Sequence, residues 1–353
     1  MNEDIFLLDP YALKKEEKNA LMVARLCELT HLHQEHCQAY ANILESFGYA
    51  NKNYGCIEDF FALPVRIFKE IDLLSSKEIV KTLTSSGTTG KVSTIYLDKL
   101  TAQLQTKALI KIMQSFLGKA RLPMLIIDTK EILQDRNHFS ARAAGVMGLS
   151  NFGRKHTYVL DASMQLDIGM LKDFLSKYKD QPILIFGFTY MVWEYFFKPI
   201  NENKIDIDLS NAILFHSGGW KKLEHLKVSN ALFKESFQKV CNLRRIHNFY
   251  GMVEQVGSIF VECEAGHLHT PNFADIIIRD PLSLEPLGMH QEGLIELCSL
   301  LPHSYPGHVL LSEDRGVILG EDDCACGRKG KYFSVLGRIK SAEKRGCSDT
   351  FIK

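Results

Sequence analysis

The chain has 353 residues, 46% of them apolar and 24% charged, a profile of a soluble globular protein long enough for two to three domain-sized units. Lys plus Arg and Asp plus Glu each total 42, so no overall basic field exists to recruit nucleic acid or an acidic membrane surface. The opening MNEDIFLLDP has neither a basic region nor a long apolar run, and the most apolar window, Pro182–Phe197, is short and interrupted by Glu194, so neither a signal peptide nor a membrane span is expected.

Nine cysteines is an odd count. Together with the absence of a signal peptide it predicts a cytoplasmic, reducing setting, where thiols serve as metal ligands, nucleophiles or core residues rather than disulfides.

From Tyr11 to Phe47 the stretch KKEEKNALMVARLCELTHLHQEHCQAYANIL has apolar positions near helical spacing and neither Pro nor Gly, which predicts one or two helices. His31, His33 and His36 resemble a metal cluster, but no matched carboxylate or Cys pattern accompanies them, and they read as exposed helix-face histidines. LPVRIFKE, Leu63–Glu70, then leads toward TSSGTTGKVS, Thr84–Ser93. There Thr84, Ser85, Ser86, Gly87, Thr88, Thr89 and Gly90 precede Lys91. Glycines admit phosphate close to the backbone, and successive N–H groups with hydroxyls wrap its oxygens. Only Thr88 and Thr89 separate the two glycines, so this is not a Walker A loop.

Further on, MLIIDT, YVLD, ILIFGF, AILFHSGG and RRIHNFYG are short apolar runs, several ending in Gly, Ser, Asp or Asn, with helix-length segments between them. This alternation predicts an α/β open sheet with ligands at its carboxyl edge. After Gly266, IIIRD, GLIELCSLL, HVLLS, GVILG and YFSVLGRI are β-rich and separated by Gly and Pro turns, which predicts a closing β-subdomain. The expected division is an N-terminal helical segment over 1–75, an α/β core over 76–265, a β-rich subdomain over 266–336 and a tail over 337–353.

Several segments carry chemistry. HSGGWKK places Gly218 and Gly219 after an apolar run, where backbone can lie flat against a nucleotide or carboxylate. HNFYGMVEQ offers Tyr250, Gly251 and then Glu254, an acid suited to magnesium bridging ATP phosphates. Asp314 in SEDRG can accept from ribose hydroxyls, and Arg338 in GRIKSAEKRG suits ribose or phosphate. Between Arg328 and Arg345 stand seven basic residues and one acid, Glu343. Separately, Cys263 and His269 (C-x5-H) with Cys324 and Cys326 (C-x-C) would satisfy a closed tetrahedral structural zinc site.

In this order these segments resemble the LuxE-type acyl-protein synthetases, relatives of phenylacetate–CoA ligase in the adenylate-forming superfamily. LPVRIFKE, SSGTTGKVS, HFSARAAGVMG, HSGGWKK, YGMVEQ, CACGR and GRIKSAEKRGCSDTF carry the resemblance over essentially the whole chain. It implies that a fatty acid is activated with ATP to an acyl-adenylate and moved to a cysteine near the C-terminus, which here is Cys347. It also implies a partner that receives the acyl group, a reductase or acyltransferase. Lys344 and Arg345 beside Cys347 favour its thiolate.

The superfamily pattern is not followed everywhere. Val253 stands where a Thr usually precedes the magnesium-binding Glu, and Ile339 and Lys340 follow Gly337-Arg338 where a hinge aspartate is usual. The small mobile C-terminal domain with its adenylation lysine is expected to be absent, leaving Lys91, Arg338 and Lys340 as candidates for that positive charge. A phenylacetate-type CoA ligase and a non-catalytic acyl-binding partner remain the alternative readings.

Overall fold

The computed structural model describes residues 3–85, 91–133, 141–220 and 227–339. It divides into two units, the first built from 3–85, 91–116 and 250–339 and the second from 117–133, 141–220 and 227–249.

In the first unit the N-terminal stretch forms two helices, Lys15–His36 and Gln38–Ser46, parted at Cys37, whose backbone is extended (φ −128°, ψ 93°). Glu16 and Glu17 in the first turn suit the helix dipole. The long helix buries Lys18, Met22, Leu26, Leu29 and His33, one face at three- and four-residue spacing. Its polar ends are both satisfied. The Lys18 ammonium donates to Thr270 Oγ1 at 2.7 Å and lies 3.6 Å from Asp275, a carboxylate it shares with Lys331.

His33 departs from the expectation of an exposed histidine; His31 and His36 are exposed as expected, but His33 is fully buried. Its Nε2 donates to Pro302 O at 3.2 Å, its Nδ1 lies 2.8 Å from Ser75 Oγ, and its ring sits 4.9 Å from that of His308. His308 Nε2 is 3.0 Å from Thr30 Oγ1. Burial, reinforced by neighbouring histidines, depresses both imidazoles, that of His308 to about 3. Each is therefore neutral when folded, while the unfolded chain takes up a proton below about 6.5. The stabilisation from His308 is complete above that value and is lost as pH falls toward 3, by about 1.4 kcal/mol per pH unit, and His33 adds a loss of the same sign. The thermal midpoint is expected to drop steeply between pH 6.5 and 4.5, with a shallower slope in His308→Gln; an unchanged slope would overturn this account.

The rest of the first unit is mainly an antiparallel sheet. Its strands run in the order Ala274–Arg279, Glu292–Ser299, Val309–Glu321, Lys331–Arg338, Leu268–His269 and Phe260–Glu262. The runs HVLLS and GVILG, expected as separate strands, are one strand of 13 residues. Gly316 within it is a point of close packing rather than a turn, since a Cβ there would stand 2.7 Å from Ile295 and 2.8 Å from Ser334 O. A separate hairpin, Lys81–Thr84 with Thr94–Leu97, pairs Thr84 with Thr94 and so frames the glycine loop.

The second unit is a five-stranded parallel sheet. Its strands, Leu122–Ile126, Gly153–Tyr158, Ile183–Phe188, Ala212–Ser217 and Arg245–Tyr250, lie in the spatial order 2-1-3-4-5. Helices Ala141–Ser150, Ile168–Lys177 and Asn230–Cys241 alternate with them. Ile183–Phe188 is buried throughout, as a strand covered on both faces must be. In doubly wound sheets of this order the ligand crevice opens at the carboxyl end, where the strand order reverses.

Candidate active site

Asp314 is central to the predicted constellation in the first unit. It lies within Val309–Glu321, and the ladder sets it opposite Arg338. Arg338 Nε donates to Asp314 Oδ1 at 3.1 Å, and the Tyr250 hydroxyl donates to Oδ2 at 2.7 Å. The Asp314 backbone N–H donates to Ser312 Oγ at 3.2 Å, and that hydroxyl donates to Ile295 O at 2.7 Å. Burial and the adjoining carboxylate push the Tyr250 phenol well above its ordinary range, so it remains a neutral donor. A carboxylate fixed from two sides keeps further lone pairs for incoming hydroxyls.

Glu254 lies in the turn Val253–Gln255 and is buried. Burial raises its carboxyl, while the Ser93 hydroxyl, Lys69 and Arg338 pull the other way. Ser93 belongs to the hairpin, where its N–H donates to Ser85 Oγ at 2.8 Å and its carbonyl accepts from Ser85 N–H at 3.0 Å. The base of the loop and the acid predicted for magnesium are thus brought together. Lys91, also at the base, is ion-paired with Glu70. Thr84 and Ser85 are in place on the other arm; Ser86, Gly87, Thr88, Thr89 and Gly90 lie outside the described residues, as do Lys340 and Cys347.

Gly218 and Gly219 belong to the second unit, just past Ala212–Ser217. Gly218 has φ +84°, and a Cβ on it would come within 3.2 Å of Phe188, so the turn requires glycine there. His216 before it is buried, with Nδ1 2.9 Å from Thr189 Oγ1. Burial brings its imidazole down to about 3, helped by Lys234 and His247, and keeps it neutral. The aromatic run Gly187–Phe197 is largely core, with Val192, Trp193, Phe196 and Phe197 buried in a π-helical turn against Phe233 and Phe237.

A buried ion pair in the second unit joins Asp128 and Arg142, to which the sequence motifs assign no role. Asp128 follows the strand Leu122–Ile126 and Arg142 opens the helix Ala141–Ser150, with Nε 3.0 Å from Oδ2 and both side chains buried. Burial outweighs the pull of Arg142 and brings the Asp128 carboxyl up to about 6. The pair stands at the carboxyl end of the switch between the first and third strands. The sequence signal is the aspartate next to last in MLIIDT and an arginine inside an otherwise small, apolar ARAAG.

The four predicted metal ligands converge, their ligand atoms all within 4.8 Å of one another. Cys263 and Cys324 have Sγ atoms 3.8 Å apart, and Cys326 Sγ lies 3.3 Å from His269 Nε2. A tetrahedron with Zn–S near 2.3 Å and Zn–N near 2.0 Å has edges of about 3.8 and 3.5 Å, so the residues fit zinc. His267 Nδ1 stands 3.5 Å from Cys324 Sγ, as an outer N–H···S donor would. Turns hold the set: Cys263 N–H donates to His267 O at 2.8 Å, and Gly327 N–H to Cys324 O at 2.9 Å.

Comparison with known proteins agrees with this architecture. The family model described as acyl-protein synthetase, LuxE, matches residues 1–353. The long-chain-fatty-acid–luciferin-component ligase of Aliivibrio fischeri is 20% identical over 359 residues, covering 98% of this chain and 91% of that protein. Among solved structures, 2-hydroxyisobutyryl-CoA ligase in an open conformation with 2-HIB-AMP and CoA is similar with TM-score 0.68 at 15% identity, over 96% of this chain and 79% of that one. The same ligase in its postadenylation state with 2-HIB-AMP gives TM-score 0.69 at 15% identity, over 94% and 70%. These likenesses show the adenylate-forming ligase fold.

Proposed function

The chain belongs to the LuxE acyl-protein synthetase family, and from that premise we propose that it activates a fatty acid with ATP and loads the acyl group onto its own Cys347. The observation that carries this reading is the Asp314 carboxylate fixed by Tyr250 and Arg338, in the same unit as Glu254 and the two strands of the hairpin. In the first step the fatty carboxylate attacks the α-phosphorus, giving acyl-adenylate and releasing pyrophosphate. In the second the Cys347 thiolate attacks the acyl carbon, forming a thioester and releasing AMP. Asp314 accepts from the ribose, the loop with Lys91 wraps phosphate, and Arg338 and Lys340 add positive charge toward the pentavalent α-phosphorus. Glu254 would hold magnesium accompanying ATP, which would neutralise phosphate charge.

Zinc belongs to the same proposal as a structural metal, held by Cys263, His269, Cys324 and Cys326. The acyl group then passes to a partner protein, a reductase or acyltransferase. A cytoplasmic setting belongs to the same proposal. The eight described cysteines are all free, and no helix among the described residues is long and apolar enough to cross a membrane.

The test is incubation with ATP, magnesium and radiolabelled tetradecanoic acid, with and without CoA, followed by hydroxylamine. Label on the protein that hydroxylamine releases supports the proposal. Label on CoA alone replaces it with a CoA ligase, and no turnover replaces it with a binding partner. Asp314→Asn tests the nucleotide site. Losing the charge on a hydrogen-bond acceptor costs about 1.5–3 kcal/mol, so KM for ATP in ATP–pyrophosphate exchange is expected to rise about 10- to 100-fold. An unchanged KM would remove Asp314 from the site.

A further inference from the structure

The segment LPVRIFKE had no role beyond its resemblance, yet the fold sets it against the nucleotide residues. Leu63 and Pro64 pair with Leu310 and Leu311. Phe68 is buried edge-on to Tyr305, with ring centroids 6.0 Å apart, and the Tyr305 hydroxyl donates to Glu254 O at 2.8 Å. So anchored, the turn Val65–Lys69 and the following Glu70 present three charges. Arg66 ion-pairs with Glu313, the neighbour of Asp314; the charge of Lys69 lowers the Glu254 carboxyl; and Glu70 ion-pairs with Lys91. A second tether ties the same segment to the hairpin, the Tyr96 hydroxyl donating to Asp72 Oδ1 at 3.1 Å.

Two of these charges are cations set against acids. Glu70 is the reverse, an anion on the cation at the base of the phosphate loop. Phosphate approaching Lys91 meets an ammonium already neutralised and a carboxylate that repels it. We infer that Glu70 is a positioning residue that acts through Lys91, competing with the nucleotide phosphates for that ammonium and thereby setting ATP affinity. The inference rests on the proposed nucleotide role of Lys91. Both side chains are more than half exposed, so the effect is modest, about two- to fivefold.

The experiment uses the full chain, with titration of a fluorescent N-methylanthraniloyl ATP in magnesium alongside ATP–pyrophosphate exchange. Glu70→Gln is expected to lower Kd for the analogue and KM for ATP about two- to fivefold, more at low ionic strength, with kcat moving less than KM. Glu70→Asp, which keeps the charge, should stay nearer the parent. In a Lys91→Gln background, Glu70→Gln should change nothing, the non-additivity that marks a pair acting together. Weaker or unchanged binding in Glu70→Gln, or a gain that persists without Lys91, would overturn the inference. Those outcomes leave the nucleotide reading intact, whereas a parent chain that binds no ATP analogue overturns both.

Discussion

Cys347→Ser is expected to abolish hydroxylamine-labile acylation, with at least a 100-fold fall in label on the protein, while ATP–pyrophosphate exchange stays within about twofold. The two readouts separate because the thiol enters only the second step. Adenylate formation needs the carboxylate, ATP and fixed positive charge, and none of these is on residue 347. Thioester formation needs a thiolate, and a serine hydroxyl is neither comparably acidic nor comparably nucleophilic at neutral pH. Lys344 and Arg345, three and two residues before Cys347, are expected to favour the thiolate, so Lys344→Gln with Arg345→Gln should shift the pH dependence of labelling upward and leave exchange unaltered. Label that survives in Cys347→Ser would assign the acyl group elsewhere. Loss of both readouts would make Cys347 structural.

The second large effect concerns the four-residue metal set. The purified protein is expected to carry about one zinc, and Cys324→Ser should reduce this to near zero. Cys263 and Cys324 come from turns 61 residues apart in sequence, so a metal there would join two distant stretches of chain. Structural zinc contributes its binding energy directly to folding. A loss of even 3 kcal/mol would lower the thermal midpoint by roughly 6–12 °C for a unit of this size. Should Cys324→Ser fail to fold, cobalt substitution of the parent gives a second readout, with thiolate-to-metal charge-transfer bands and tetrahedral d–d bands. No stoichiometric metal in the parent together with normal folding of Cys324→Ser would sink the assignment.

Much of this was legible in the sequence because it depends on local pattern. The apolar runs at Ile183–Phe188, Ala212–Ser217 and Arg245–Tyr250 are strands of the parallel sheet, and the β-rich character after Gly266 is the antiparallel sheet. What escaped depends on partners far away in the chain. His33 reads as a solvated residue by type, and only Pro302 and His308, brought in from the other end of the chain, make its burial possible. Lys18 is similar, since a lysine on the apolar face of a helix makes sense only once Thr270 and Asp275 are opposite it. HVLLS and GVILG read as two runs parted by EDR, whereas they form one strand in which Gly316 admits the neighbouring strands. YVLD was placed as a strand, but the strand ends at Tyr158, and Leu160 instead bridges to Leu166. In the candidate site the glycine loop, Glu254 and Asp314 were recognisable as motifs, while Glu70 was not, because its meaning comes from Lys91, 21 residues later.

The continuity of Val309–Glu321 also bears on how the length of this chain can change over evolution. One unbroken strand carries Asp314 near its middle, and the turn bearing Cys324 follows its end. Side chains alternate faces at every step along a strand, at about 3.3 Å per residue. The ladder beside Asp314 already departs from regular register between Arg315 and Gly316 and between Ile318 and Gly320, so an inserted residue that no further bulge absorbs would turn Asp314 away from Tyr250. Insertions and deletions should therefore be rejected in this strand and accumulate instead in the exposed Asp280–Gln291 connection, where Leu282 is 95% exposed. A scan of one-residue insertions scored for acyl loading would display the strand as a gap in tolerance.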